Sequence, residues 1–120
     1  MRAAAVALTL FLAACAHHAS VSDRLFCGLS IPGGGTVTRS DFDTFVAEVV
    51  EPRFPDGFTV WRARGQWKGG SEDAMVIEVV HPRAPQHDRA IREIADAYRT
   101  RFRQEAVLRV TSPVTMQLVQ

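Results

Sequence analysis

The sequence has no marked excess of charge of either sign. Its 120 residues include 14 lysines and arginines and 13 aspartates and glutamates, which gives a formal net charge of +1 at pH 7. Domains that bind the phosphate backbone of nucleic acids usually carry a clear basic excess. The balanced composition therefore argues against DNA or RNA as a partner, and we expect no nucleic-acid binding.

Cysteines are scarce, since the chain has only Cys15 and Cys27. If Cys15 is modified, as its surroundings indicate below, Cys27 has no partner and no disulfide framework exists. Cys27 lies in an apolar run between Phe26 and Gly28. We therefore predict a buried thiol that packs as a small hydrophobic side chain. No base can be named from the sequence to activate it as a nucleophile.

No apolar run is long enough to cross a bilayer as a helix, which takes about 20 residues. The best candidate is the run from Ala3 to Leu12, which follows Arg2 and precedes the small pair Ala13-Ala14. This order is typical of a secretory signal peptide. We predict that residues 1–14 are a signal peptide, 15–23 a lipidated amino terminus and linker, and 24–120 one domain.

The stretch Leu12-Ala13-Ala14-Cys15 resembles the lipobox of bacterial lipoproteins, in which the cysteine is lipidated and the new amino terminus is acylated. The resemblance implies that Cys15 is the lipid attachment site, and two or three acyl chains would hold the protein stably on a membrane. Residue 16 is Ala rather than the Asp that marks inner-membrane retention in enterobacterial lipoproteins. The implied location is the outer membrane, facing the periplasm. The alternatives are an ordinary signal peptide before an unmodified cysteine, or a buried N-terminal helix.

Hydrophobic periodicity predicts four strands and two helices in the 106 residues that follow cleavage. The first helix carries a continuous apolar stripe, begins with Ser40 and Asp43 as its capping pair, and ends before Pro52. The predicted strands are residues 25–31, 58–67, 74–81 and 105–111, and the predicted helices are 40–51 and 85–104.

The order β-α-β-β-α-β predicts an α+β fold of the ferredoxin-like kind, with a four-stranded antiparallel sheet and both helices on one face. The other face is then open, and we expect Val76, Val80 and either Trp61 or Val60 on it. A sheet face this apolar is seldom left to water. Its predicted cover is the C-terminal segment, a ligand, a second subunit in a homodimer, or another envelope protein.

Three stretches have an unusual combination of residues in fixed order. They are Phe26-Cys27-Gly28-Leu29, the run from Pro52 to Val60 with Gly65-Gln66-Trp67 after it, and the run from Gln104 to Arg109. Together they resemble the bacterial domain of unknown function 3574 family of small, often lipidated proteins, over about residues 24–115. This chain differs from the family pattern at Phe42 and Ala106. The resemblance implies no activity.

The polar and amphipathic residues of those stretches are the candidate ligand or partner contacts, namely Arg53, Gln66, Trp67, Glu105 and Arg109. In the predicted topology they lie at strand and helix ends, where they could converge. An arginine would then hold a carboxylate or phosphate in bidentate fashion, with Trp67 as a stacking wall. The structural alternative is that Glu105 pairs with an arginine, Gln66 fixes a loop and Trp67 fills the rim of the core.

No catalytic constellation can be recognised, and we predict no catalytic residue, no metal site and no cofactor. His81 lacks a nucleophile or carboxylate spaced to form a dyad, and His17-His18 lacks further ligands. Gly33-Gly34-Gly35 lacks the lysine and the spacing of a P-loop. The sequence favours a non-catalytic binding or interaction domain in the bacterial envelope. The alternative is a small enzyme or ligand-binding protein of the dimeric α+β barrel type.

Overall fold

The computed structural model describes residues 20–120, so the predicted signal peptide, the lipid attachment site Cys15 and the His17-His18 pair lie outside the described residues. The first helix, α1, continues directly into a π-helical turn at Val46–Val50. The elements in chain order are β1 (Ser20–Gly28), α1 (Arg39–Phe45), β2 (Thr59–Trp67), β3 (Gly70–Pro82), α2 (Pro85–Arg101) and β4 (Leu108–Val114).

The four strands form one antiparallel sheet in the order β2-β3-β1-β4. β1 lies in the middle, with β3 on one side and β4 on the other. This topology confirms the predicted ferredoxin-like arrangement, because the two long crossovers each carry one helix and β2 and β3 are joined as a hairpin.

The core lies between the helices and one face of the sheet. Period-two positions of β1 and β3 supply the sheet side, and the 3.6-residue stripes of the helices supply the other. Tyr98 and Phe45 meet edge to face, with ring centroids 5.2 Å apart. The principal core side chains are Leu25, Cys27, Phe42, Phe45, Val49, Val50, Ile77, Val79, Ile91, Ile94 and Tyr98.

The predicted linker of residues 15–23 is too long, because β1 begins at Ser20 and ends at Gly28 instead of Ile31. Ser20 to Asp23 pair with β3 on one side and β4 on the other. Asp23, predicted as part of a polar spacer, is fully buried. This stretch was predicted as a linker because the side chain of Asp23 is charged. Its carboxylate points inward, and the partners described below compensate for its burial.

The ends of both helices differ from the predicted ones. The first helix is capped by Thr38, whose hydroxyl accepts a hydrogen bond from the backbone N–H of Asp41 while the Asp41 carboxylate accepts one from Thr38. This capping box lies two residues before the predicted Ser40–Asp43 pair. α2 ends at Arg101 rather than Gln104, for a reason given with the site.

The predicted loop of residues 68–73 is a two-residue hairpin turn at Lys68-Gly69, with φ angles of 48° and 81°. Both positive φ values are those of a type I′ turn, which suits the twist of antiparallel strands. β4 begins at Leu108 rather than Glu105 and runs through Pro113, which was predicted to end it. Proline is tolerated there because β4 is an edge strand that pairs only with β1.

The open face of the sheet carries Trp61, Val76 and Val80, as predicted, whereas Val60 lies on the opposite side of β2. Val76 is fully buried, while Trp61 and Val80 remain about 40% exposed. The C-terminal segment (residues 115–120) does not cover this face, because Leu118 and Val119 are 85% and 86% exposed.

Candidate functional site

Two polar regions lie in different halves of β1. We call them the Gly28 pocket, beside the last residue of the strand, and the Asp23 network, around its fourth residue. The Gly28 pocket has a volume of about 410 Å³. It lies at one end of the open sheet face, and its lining includes Phe26, Gly28, Ser30, Gln66, Trp67, Glu72, Gln104, Glu105 and Leu108.

The walls of the Gly28 pocket are apolar and in part aromatic. Phe26 of β1 and Leu108 of β4 are register partners on the open face. Trp67 closes β2 just before the hairpin turn. Trp67 is 48% exposed and Leu108 is 53% exposed, so both keep free surface for contact with another molecule. A flat apolar ring is the group that such walls would hold.

Gly28 makes room for two polar side chains on the floor of the pocket. A Cβ atom added at Gly28 would collide with Oε1 of Glu72 and would lie 2.9 Å from Oε1 of Gln104. Both oxygens therefore approach the backbone at a point where any other residue would obstruct them. Because Gly28 has no side chain, two acceptor oxygens can lie close together beside the backbone of β1.

The end of α2 directs Gln104 into this position. Arg103 adopts a left-handed conformation with a φ of 51°, and the Gln104 N–H donates to the carbonyl of Arg99 over 2.9 Å. This is the Schellman geometry, which stops the helix and turns the chain. The Gln104 amide donates to the carbonyls of Ser30 (2.8 Å) and Phe102 (3.1 Å). Its oxygen is left as an acceptor facing the pocket.

Glu72 brings a carboxylate that no cation neutralises. None of the ion pairs formed within residues 20–120 includes Glu72. Charge-assisted hydrogen bonds are the strong ones, so a carboxylate beside an amide oxygen attracts donors and positive charge. The floor of the pocket is therefore an acceptor site.

The rim of the pocket carries an exposed ion pair between Lys68 and Glu105, with 2.6 Å between Nζ and Oε1. Hydrogen bonding from Lys68, helped by the Trp67 side chain, holds the pKa of Glu105 below its usual range. The expected arginine partner of Glu105 is therefore a lysine. The pair joins the hairpin turn to the segment before β4, on opposite sides of the pocket.

The Asp23 network is built around a carboxylate with no solvent exposure. Arg109 donates to Oδ1 over 2.8 Å and to Oδ2 over 3.1 Å, and Thr111 also donates to Oδ1. His81 Nε2 lies 2.7 Å from Oδ2. Burial raises the pKa of Asp23, but the hydrogen bonds from Arg109, Thr111 and His81 outweigh burial and bring it below its usual value. The region is fully paired.

The arginine and the histidine of this network are engaged mainly by partners within the domain, although Arg109 uses only three of its five N–H donors. Arg109 also donates to Asp88 over 2.8 Å, and the hydrogen bond to Asp23 raises its pKa. Both ring nitrogens of His81 face oxygen atoms, since Nδ1 lies 2.8 Å from the carbonyl of Pro82. His81 is 5% exposed, which leaves it little access to a substrate as a general base.

The structure separates the five predicted contact residues into three places. Gln66, Trp67 and Glu105 meet at the Gly28 pocket. Arg109 lies in the Asp23 network, near the other end of β1. Arg53 donates to the carbonyl of Val49 at the end of the first helix and to Glu93 of α2, so it joins two helices. The predicted convergence of all five is wrong, because the antiparallel register places their elements at different ends of the sheet.

Two residues on the floor of the pocket were missed by the sequence reasoning. Glu72 falls in a stretch predicted as a loop, whereas it belongs to β3 and faces the open side. Gln104 and Gly28 both stand in the stretches that carry the family resemblance, but a glycine gives no sign of which side chains will fill its space. The available signal was the glycine itself, because a glycine within a predicted strand often marks a close approach by another group.

The buried cysteine and the distribution of metal-ligating side chains limit the further chemistry that residues 20–120 can support. Burial raises the pKa of the Cys27 thiol to about 12, so the thiolate is not available near neutral pH. In the part of the chain from residue 20 onward, no three His, Cys, Asp or Glu side chains cluster closely enough to ligate a metal ion. Over the same residues, no helix combines the length and apolar character needed to span a membrane.

Comparison with known proteins gives one family and one fold. A family model described as "Protein of unknown function (DUF3574)" matches residues 22–118. No curated protein matches the chain. A phage SAM lyase solved in complex with S-methyl-5'-thioadenosine is similar in structure, with a TM-score of 0.62, 20% identity, and coverage of 79% of this chain and 81% of that one. A phage SAM lyase in the apo state has a TM-score of 0.56, 14% identity, and coverage of 86% and 94% respectively.

Proposed function

This chain belongs to the DUF3574 family of proteins of unknown function, and we propose that it is a bacterial envelope lipoprotein whose domain binds a small molecule in the Gly28 pocket. One observation carries the proposal. Glu72 and Gln104 direct acceptor oxygens into the space left by Gly28, and exposed apolar side chains stand around them. A pocket of about 410 Å³ is within the range of small-molecule sites.

The chemistry of the pocket selects a class of ligand. The Glu72 carboxylate and the Gln104 amide oxygen accept hydrogen bonds, so the ligand should present N–H or O–H donors or a positive charge. Trp67, Phe26 and Leu108 offer the flat apolar surface that a ring system packs against. A purine nucleoside or a similar planar molecule with several donors combines these features. A carboxylate or phosphate ligand would meet Glu72 and be repelled.

The similarity in fold suggests the first probe. The phage SAM lyase chain was solved with S-methyl-5'-thioadenosine, a nucleoside that has an amino group, two ribose hydroxyls and an apolar methylthio group. These groups fit the acceptors and apolar walls of the Gly28 pocket in kind. The proposal for this chain is binding of that class of molecule, and it includes no chemical step.

Isothermal titration calorimetry on the detergent-solubilised full chain tests the proposal, with S-methyl-5'-thioadenosine and adenosine as probes. Glu72→Gln should weaken binding at least about tenfold, since a charge-assisted hydrogen bond contributes about 1.5–3 kcal/mol. Trp67→Ala should weaken it by a similar factor through lost stacking. The matched control is Asp73→Asn, because Asp73 is adjacent but bonds Arg62 on the opposite side of the sheet.

If the Glu72→Gln and Asp73→Asn variants bind the nucleosides with equal affinity, the Gly28 pocket is not the ligand site. Absence of heat with either nucleoside would reject that ligand class. A screen of donor-rich aromatic amines by thermal shift would then ask whether the acceptor site takes a cationic ligand instead.

A second candidate function, as an interaction domain, is favoured by the open sheet face. Three side chains on this face are each 38–40% exposed, namely Trp61, Val80 and Val110, whereas Val76 on the same face is buried. A homodimer or another envelope protein would cover these side chains. Sedimentation velocity of the wild-type chain and of Val80→Glu tests self-association. A monomer at all concentrations would reject the homodimer.

The envelope location depends on lipidation of Cys15. Mass spectrometry of the native protein should show a chain that begins at residue 15 and carries acyl groups, and Cys15→Ser should remain unprocessed. An intact Met1 or an unmodified thiol at Cys15 in the native protein would overturn the anchor. The pocket proposal would remain standing in that case, because it depends only on the described domain.

A further inference from the structure

We propose that the C-terminal segment (residues 115–120) is a membrane contact, with Met116, Leu118 and Val119 lying in the bilayer interface beside the lipid anchor. The inference rests on the proposed lipidation of Cys15 and is independent of the Gly28 pocket. It assigns a partner, the phospholipid surface, to Met116 and to Leu118 and Val119, the two most exposed large apolar side chains in the described chain.

The length of the tether sets the first constraint. Five residue steps separate Cys15 from Ser20, where β1 begins. A fully extended chain spans at most about 3.3–3.6 Å per residue, so Ser20 lies within about 18 Å of the lipidated cysteine whatever its path. The acyl chains of that cysteine are in the membrane. The Ser20 end of the domain is therefore held at the bilayer surface.

The register of the sheet identifies what else lies at that end. Ser20 pairs with Pro82 of β3 and with Val114, the last residue of β4. The C-terminal segment thus begins directly beside the point where the tether reaches the domain. Arg83 follows Pro82 at the same end, is exposed, and forms no ion pair within residues 20–120. Lipid phosphates are the groups that such an arginine would meet.

The side chains of the segment have the chemistry that a membrane interface requires. Leu118 and Val119 are 85% and 86% exposed, and Met116 is 51% exposed. The segment from Thr115 to Gln120 contains no charged side chain. Three large apolar residues without a protein partner gain by leaving water for the acyl boundary. Their position beside the tether brings them within reach of it.

This contact fixes which way the domain points. β1 runs from Ser20 to Gly28, and eight steps of about 3.3 Å place the Gly28 pocket about 26 Å farther along the strand than the tether. The pocket would then face the aqueous compartment and the Asp23 network would face the membrane side. A ligand would reach the pocket without entering the bilayer.

A fluorescent label on the full lipidated chain tests the inference. Leu118→Cys is labelled with an environment-sensitive NBD group, and Thr36→Cys is the control at the far end, because exposed Thr36 bridges Ser30 just past Gly28. The label reaches only the introduced thiol, since Cys27 is fully buried and Cys15 is acylated. The proteins are reconstituted in phosphatidylethanolamine–phosphatidylglycerol vesicles with spin-labelled acyl chains.

We expect a blue-shifted NBD emission at position 118 that the spin-labelled acyl chains quench, and a water-like, unquenched emission at position 36. Two water-like signals from chains that sediment with the vesicles would overturn the membrane contact and leave the anchor intact. Chains that stay in the supernatant would refute the lipid anchor itself, so the two failures are distinguishable. Quenching at position 36 would contradict the proposed orientation, because it would place the Gly28 end of the domain at the membrane.

Discussion

Two carboxylates lie beside different parts of β1, Asp23 within the strand and Glu72 of β3 next to Gly28, but only Asp23 has ionic partners within residues 20–120. Asp23 is fully buried and receives hydrogen bonds from Arg109 and Thr111, with His81 against its other side. Glu72 approaches the backbone of Gly28 and joins none of the ion pairs formed by residues 20–120. A carboxylate whose partners come from its own chain stabilises the fold. A carboxylate that is placed beside an acceptor and left without a cation is available to a ligand.

The comparison also explains why the arginine was a misleading signal. Arg109 looked like a candidate anion binder, because a guanidinium can hold a carboxylate with two parallel hydrogen bonds. It does hold one, but the carboxylate is Asp23 of its own domain. The ligand proposed above would instead contact the less conspicuous pair of Glu72 and Gln104.

The largest expected effect is loss of stability on Asp23→Asn. The substitution leaves Arg109 and His81 facing an amide in place of a charge, and breaking a buried ion pair costs about 3–5 kcal/mol. Glu72→Gln, the matched change at the other end, should alter the free energy of unfolding by less than about 0.5 kcal/mol. Denaturant unfolding of both variants measures the difference. Equal losses would break the distinction between the two ends.

The pH dependence of stability should follow Asp23. Its pKa is lower in the folded chain than the ordinary value of 3.8, so the stabilisation is fully present above that value and is lost as the pH falls through the folded pKa. Unfolding measured from pH 7 down to acid should therefore show a decline below about pH 4 in the wild type. The decline should be shallower in Asp23→Asn. An unchanged acid limb in the variant would remove Asp23 as its cause.

A moderate effect is expected where α2 meets the Gly28 end of β1. Tyr98 donates its buried hydroxyl to the carbonyl of Gly28 over 2.7 Å. Tyr98→Phe leaves that carbonyl without its donor and should cost about 1–3 kcal/mol. Thermal unfolding measures the loss, and Phe102→Leu controls for general repacking of the same helix. A neutral Tyr98→Phe would show that Gly28 is positioned by the sheet alone.

A small change in stability, together with a large change in binding, is expected for Gly28→Ala. The new methyl group collides with the ends of the Glu72 and Gln104 side chains, which are flexible and can move aside. Stability should therefore shift by less than about 1 kcal/mol, whereas nucleoside affinity should fall by about tenfold or more as the two acceptors separate. Thr59→Ala is the strand control, because Thr59 is an exposed β2 residue that does not line the pocket. Loss of binding in both variants would point to a general disturbance of the sheet rather than to the pocket.

The fold could be predicted because it depends on local patterns. The stripe of Phe42, Phe45, Val49 and Val50 and the alternation of Leu25 and Cys27 report the core directly. The ends of the elements could not, because they depend on pairing with distant strands. Ser20 to Asp23 look polar and unstructured until β3 and β4 lie on either side.

The site could be predicted only in part, for a related reason. Trp67, Gln66 and Glu105 were found because they are unusual residues in fixed order, and they do meet at the pocket. The approach of Glu72 to Gly28 depends on strand register, and the approach of Gln104 depends on the exact end of α2. No local sequence pattern contains either feature. A glycine within a predicted strand indicates a close approach by another group, but it does not identify the side chains that approach.

The most direct test of the distinction between the two ends is an amide chemical-shift titration of the full chain with S-methyl-5'-thioadenosine. We expect the signals of the Gly28 backbone, the indole N–H of Trp67 and the side-chain amide of Gln104 to shift together, while those of Asp23, Thr111 and Arg109 stay in place. Shifts confined to the Asp23 network would contradict ligand binding at the Gly28 pocket, and so would a spectrum that the ligand leaves unchanged throughout.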